Sequence, residues 1–247
     1  MKHAAEILIV LTASMPLVSA HAQDASMVRG VVRTAAEASI SSDLGARVLR
    51  VPFREGQSFN KGDLLIEFDC DKVRAELRSA EADKREHAVV QQNNANLQRY
   101  HAVGANELAI SRAHVDKATA VVDAWNVRLA QCKVFAPFSG RVAEVGVHEF
   151  ESPAASVALV RIVDDHNLEV ETIVPSKWFP HLKIGDAFGF TVEETGAVIK
   201  ARIVRTGATV DPVSQTMKVI GVLECSDGSI LPGMSGMASF AFMGNRS

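Results

Sequence analysis

Arg47–Phe68 and Arg141–Ile162 carry the same pattern, and a segment of different character lies between them. Laid on each other without a gap, Val48 meets Val142, Val51 meets Val145, Phe53 meets Val147 and Glu55 meets Glu149. Ser58 then meets Ser152, Leu65 meets Leu159, Ile66 meets Val160 and Phe68 meets Ile162. Apolar positions alternating around Gly, Ser or Pro turns form a strand pattern. Two copies of one such unit imply that neither buries its apolar face alone. The intervening stretch, Cys70 to Cys132, has few turn residues and a helical period. A helical excursion therefore splits a two-part β module.

Asp69 or Asp71 is the expected N-cap of that excursion, and a first helix is expected over about residues 71–101. Its apolar positions include Val73, Leu77, Ala80, Val89 or Val90, Leu97 and Tyr100, which hold no single heptad register. Gln91-Gln-Asn-Asn94 makes a polar patch midway. The second helix is cleaner. Leu108, Ser111, Val115, Ala118, Val122, Trp125, Leu129 and Cys132 alternate in steps of three and four, an a/d stripe. Val103-Gly-Ala-Asn106 separates the helices, with Gly104 suited to the left-handed position that ends one. At about 1.5 Å per residue each leg extends roughly 35–45 Å, so a two-stranded antiparallel hairpin projects from the domain that carries it.

The first residues read as a targeting segment. Lys2 and His3 precede an apolar run from Ile7 to Leu11 that continues through Met15, Leu17 and Val18, and Ala20-His-Ala22 follows as a small-x-small cleavage pattern. Residues 1–22 are the expected signal peptide. An uncleaved anchor is the alternative, for which the run is short of the ~20 residues a span needs. No Cys near the cleavage site offers a lipid anchor. Export makes cysteine placement informative. Cys70 and Cys132 stand at the two ends of the excursion, where an antiparallel hairpin brings its legs together, and are a candidate disulfide stapling its base. The alternative is two unpaired small apolar residues too far apart to bridge. Cys225 has no partner evident in the sequence.

Beyond the second repeat, Leu168–Val174, Val198–Val204, Met217–Leu223 and Met237–Phe242 alternate, punctuated by Gly185-Asp186, Asp211-Pro212, Asp227-Gly228 and Pro232-Gly233. Short strands at this spacing indicate a small antiparallel barrel. The stretch from Pro175 to Leu182 is expected to hold a single helical turn.

These parts, in this order, resemble the periplasmic adaptor proteins, the membrane fusion proteins of the HlyD type. The markers are Gly45-Ala-Arg-Val48 with Glu55-Gly-Gln-Ser-Phe-Asn-Lys-Gly-Asp-Leu-Leu65, Val134-Phe-Ala-Pro-Phe-Ser-Gly-Arg-Val142, Val210-Asp-Pro-Val-Ser-Gln-Thr-Met217 and Leu231-Pro-Gly-Met234. The resemblance implies a mainly β fold with an α-helical coiled-coil hairpin, a split lipoyl/biotinyl-like module and a small β-barrel. The expected divisions are 27–69 (first lipoyl-like half with an N-terminal strand), 70–132 (hairpin), 133–164 (second half) and 165–243 (barrel). It further implies a non-catalytic periplasmic protein without cofactor, peripheral to the inner membrane. Such a protein links an inner-membrane transporter of the RND or ABC type to an outer-membrane channel and packs with copies of itself on assembly.

Two departures from the family pattern stand out. Family members usually continue into a membrane-proximal domain, which the sequence leads one to expect absent or reduced to the N-terminal strand. At the hairpin tip, drug-efflux adaptors carry Arg, then Leu four residues on, then Ser after seven more. Here Arg99 and Val103 take the first two places, and Ser111 stands one position late.

Other chemistries find less support. Glu67-Phe-Asp-Cys-Asp-Lys72 is similar to the run around the modified lysine of true lipoyl and biotinyl carriers, but helix instead of a tight turn is expected after Lys72. The eight His include no His-x-x-x-His pair, and no Cys-x-x-Cys occurs, so spacing indicates no zinc site. Met234, Met237 and Met243 read as packing residues rather than soft-metal ligands, and Asp165-His166 as turn residues. A net charge of −3 and a single Tyr give no basis for nucleic-acid binding. A stand-alone periplasmic scaffold or binding protein of the same fold is the competing reading.

Overall fold

The computed structural model describes residues 26–224 and 228–240; the expected signal peptide, Cys225 and Met243 lie outside them. In chain order the elements are β1 (Ser26–Thr34), β2 (Glu37–Ser41), β3 (Val48–Arg50), β4 (Ser58–Phe59) and β5 (Leu64–Phe68). Helices α1 (Asp71–Arg99) and α2 (Ala105–Ala130) follow, then β6 (Lys133–Phe135), β7 (Gly140–Val145) and β8 (Ala158–Val163). The last strands are β9 (Leu168–Pro175), β10 (Ala187–Val192), β11 (Val198–Thr206), β12 (Thr216–Leu223) and β13 (Ser235–Phe240), with a 3₁₀ turn at Ser176–His181.

The repeated halves build one two-sheet sandwich, β2-β8-β7-β4 against β3-β5-β6. Matched repeat positions are matched in burial. Val48 and Val142, Leu65 and Leu159, Ile66 and Val160, Phe68 and Ile162 all lie in one apolar core. The halves also exchange backbone bonds reciprocally. Gly56 N donates to Val142 O (2.8 Å), and its counterpart Phe150 N donates to Val48 O (2.7 Å). Val142 N donates to Gln57 O (3.0 Å), and Val48 N to Glu151 O (2.8 Å). Glu55 Oε1 accepts from Val145 N, while Glu149 Oε1 accepts from Val51 N, both at 3.1 Å. Each half thus satisfies backbone groups that the other would leave unpaired.

The second core fills a six-stranded antiparallel barrel closed in the order β1-β13-β10-β11-β12-β9. Two expectations are corrected here. The N-terminal strand belongs neither to the first lipoyl-like half nor to a remnant of a further domain. β1 pairs with β13 and β9 and closes the barrel, because its apolar face, with Val32 fully buried, completes that core. And β10 joins the four strands expected, its Phe188, Phe190 and Val192 alternating into the interior. Gly30 and Gly236 sit where a Cβ would collide with neighbouring strands, which is what packing so narrow a barrel requires.

A disulfide joins Cys70 to Cys132, with Cα atoms 6.1 Å apart, and both residues are buried in the sandwich core. It closes the chain across the whole hairpin. Cys70→Ser is expected to lower unfolding free energy by about 2–4 kcal/mol, read by urea denaturation. Cys132→Ser should match it, and the double variant should lose no more than either single one.

Candidate functional site

The hairpin is the feature that the two compact modules cannot account for. At about 1.5 Å per residue, α1 and α2 extend roughly 43 and 39 Å. At its base Cys70 occupies the N-cap position without a capping side chain, and Asp69 Oδ1 takes the Asp71 N–H at 3.3 Å. That bond and the guanidinium of Arg47 hold the Asp69 carboxyl below its ordinary range. Asp71 is instead the first helical residue and pairs with Arg74 at 2.6 Å. Lys72 lies on this first turn, exposed, where no carrier-type β-turn exists.

The expected stripe on α2 is the one that faces α1. Leu108, Ser111, Ala118, Val122 and Cys132 are buried, and Val115, Trp125 and Leu129 are half-buried. On α1, contrary to expectation, one register does hold throughout. Val73, Leu77, Ala80, Lys84, His87, Gln91, Asn94 and Gln98 are all half-buried, in steps of four and three. Apolar periodicity misses it because the distal seam positions, from Lys84 outward, are polar. At the edge of that seam the half-buried His87 stacks on the exposed His114, ring centres 5.2 Å apart, and Asp83 lies 3.8 Å from His87.

Several apolar residues of the distal half point outward. Val89, Val90, Leu97, Tyr100 and Ile110 are all exposed, Tyr100 at 82 %. Val90 and Ile110 line a groove beside the seam that also includes Glu86, Glu107 and His114. The distal seam thus sets a polar α1 stripe against the largely apolar α2 stripe of Leu108, Val115 and Ala118, while further apolar side chains stay exposed outside it.

At the tip α1 ends in a Schellman motif. His101, at φ 56°, holds the left-handed position, and its N–H and that of Ala102 bond to Gln98 O and Leu97 O. Gly104, expected there, is instead the extended N-cap of α2. Of the three expected tip residues, Arg99 is the exposed last residue of α1 and Val103 is half-buried in the turn. Ser111 is buried in the seam with its hydroxyl donating to Leu108 O at 2.9 Å. The structure therefore brings Arg99 and Val103 together at the tip but turns Ser111 inward. The register of the α2 stripe, which contains Ser111, was the sequence signal for that.

In the barrel, the motif around Asp211 is a structural loop. The Asp211 carboxylate accepts the N–H and hydroxyl of Ser214 and the N–H of Val213, and these bonds hold its pKa below the ordinary value. Met234 packs against the barrel core and Met237 is half-buried on β13. Among the described residues no helix is long and apolar enough to cross a membrane.

No protein-family model matches the chain. Among curated relatives, an uncharacterized protein of Haemophilus influenzae is 25 % identical over 211 residues, which span 85 % of this chain and 55 % of that one. Nodulation protein NolF of Rhizobium meliloti is 26 % identical over 211 residues, 79 % of this chain and 58 % of that one. Multidrug resistance protein MdtA of Yersinia enterocolitica is 24 % identical over 168 residues, 61 % and 38 % of the two chains. The chain thus spans a little over half the length of the first two. Of solved structures, a MacA-MexA chimera carrying the Pseudomonas aeruginosa MexA α-hairpin superposes with a TM-score of 0.75 at 19 % identity, over 86 % of this chain and 78 % of that one. The membrane fusion protein Spr0693 of Streptococcus pneumoniae gives 0.71 at 18 % identity, over 86 % and 97 %. Fold and sequence relatives together support the class that the motifs resemble: the chain has the architecture of a membrane fusion protein of the adaptor type.

Two measurements test this description of the site. Gln91→Leu with Asn94→Leu should stabilise the hairpin by about 1 kcal/mol, since polar seam residues lower coiled-coil stability; an unchanged or lower helix melting point would contradict the seam assignment. The Asp211 bonds stabilise the folded state above the ordinary carboxylate range, and that contribution is lost as pH falls through the lowered native value. Asp211→Asn should therefore flatten the acid limb of the urea midpoint measured from about pH 6 to about pH 2.

Proposed function

We propose that the protein is a non-catalytic periplasmic adaptor that links an inner-membrane transporter to an outer-membrane channel in an efflux or secretion complex. On this reading the hairpin reaches the channel with Arg99 and Val103 at its tip, and the barrel faces the transporter. The lipoyl-like modules pack against copies of themselves on assembly, and the signal peptide of residues 1–22 is removed on export.

The observation that carries the proposal is the exposed apolar surface of the distal hairpin. Val89, Val90, Leu97, Tyr100 and Ile110 stay exposed in the isolated chain, and a seam polar on its α1 side holds the two helices together less firmly than an apolar one. A helical partner laid along them buries that surface and replaces the missing seam energy. The reading predicts that Val90→Gln with Leu97→Gln changes the stability of the isolated protein by less than about 0.5 kcal/mol yet abolishes partner capture.

Site-specific photo-crosslinking in cells tests the bridging role. One probe replaces Val103 at the tip and the other Lys200 on the exposed face of β11. The expected result is a tip adduct with an outer-membrane protein and a barrel adduct with an inner-membrane one. Monomeric protein at both positions, with the native operon expressed, would assign it instead to a stand-alone periplasmic scaffold.

A further inference from the structure

The sandwich and the barrel are joined by two crossing segments, Thr34–Glu37 between β1 and β2 and Val163–Leu168 between β8 and β9. They are bonded to each other. Asp164 N donates to Ala36 O and Ala35 N to Asn167 O, both at 2.9 Å, and the Thr34 hydroxyl lies 2.6 Å from Asp164 O. Inside this joint sits a cluster that none of those backbone bonds explains. Asp164, Asp165 and His166 each offer one ligand atom, all within 4.8 Å of one another, the one such trio among the described residues.

The Asp165 side chain is nine-tenths buried. Arg141 Nε holds its Oδ2 at 3.0 Å, which turns Oδ1 toward the trio, and there Oδ1 has no hydrogen-bond partner. It lies only 3.0 Å from His166 Nδ1, with Asp164 Oδ1 3.8 Å from the same nitrogen. A buried, unpartnered Asp165 Oδ1 facing an imidazole nitrogen calls for a positive centre beside it. Donors bound at about 2.0–2.2 Å around one ion stand roughly 3–4 Å apart, as His166 Nδ1 does from each of the two carboxylate oxygens. Arg141 also donates to Gly56 O at 2.9 Å, anchoring the carboxylate to the sandwich. Asn167 Nδ2 and the N–H groups of His166 and Asn167 orient Asp164. The His166 side chain, 67 % exposed, leaves one side open to water ligands.

We propose that Asp164, Asp165 and His166 hold a divalent first-row transition ion at the joint between the lipoyl-like module and the barrel. Mixed oxygen and nitrogen donors suit Zn²⁺. Bound there, the ion ties the sandwich, through Arg141 and Asp165, to the first residues of the barrel and so limits the angle between them.

The test is calorimetric titration of Zn²⁺ into tag-free, chelator-treated full-length protein. One equivalent should bind, and Asp165→Asn and His166→Gln should each weaken it at least tenfold. Circular dichroism without metal should show both variants folded like the wild type. A His87→Gln, His114→Gln double variant should bind as the wild type does, since the other imidazole pair lies far along the hairpin. Absence of binding to the wild type overturns the site. So does binding that survives both joint substitutions, or binding that the hairpin double variant loses. The outcome is independent of whether the protein bridges two membranes.

Discussion

Closure of two half-sheets on each other is the interaction on which the rest of this structure depends. Neither half has enough strands to satisfy its own turn peptides, and each receives the missing donors and acceptors from the other at equivalent positions. The demand is symmetric in geometry but not in residue type. Gly56 and Gly62 adopt positive φ, and their counterparts Phe150 and Ser156 do the same at 68° and 65°. A bulky residue in that region is strained, and it persists because the reciprocal bonds of Phe150 and Ser156 to Val48 and Ser42 over-determine the turn.

Because closure brings the ends of the inserted segment together, the hairpin follows from the sandwich. Cys70 and Cys132 arrive within bonding distance at the edge of the core, and the bond fixes the root of a lever about 40 Å long. Near that root the seam is apolar (Val73, Leu77, Ala80 against Val122, Trp125 and Leu129). Farther out, polar residues replace the apolar ones on α1, while Leu108, Val115 and Ala118 continue the α2 stripe. Stability is thereby graded along the hairpin, firm where it meets the sandwich and loose where a partner would dock.

The barrel is set against the sandwich by two short crossings rather than a shared core, and the two apolar clusters have no residue in common. Relative motion of such modules is the default. What restrains it is polar: the mutual backbone bonds of the crossings and the ion pair of Arg141 with Asp165.

By itself, the sequence determined the repeat, the split of the β module, the α2 stripe and the class of fold. These rest on period and spacing, which local physics sets. Even the burial of Ser111 was implicit in the α2 register. Only the tertiary structure decided that β1 closes the barrel, since strand partners are chosen by which core a face completes and not by neighbours in the chain. It also decided the α1 seam, because a half-buried Gln, Asn or His reads as surface until the opposite helix is placed beside it. The left-handed turn at His101 and the gathering of Asp164, Asp165 and His166 with Arg141 belong to the same class. Asp165 meets Arg141 only because β7 and the β8–β9 crossing pack side by side, and the turn at His101 is local but carries neither the Gly nor the Asn that would mark it in the sequence.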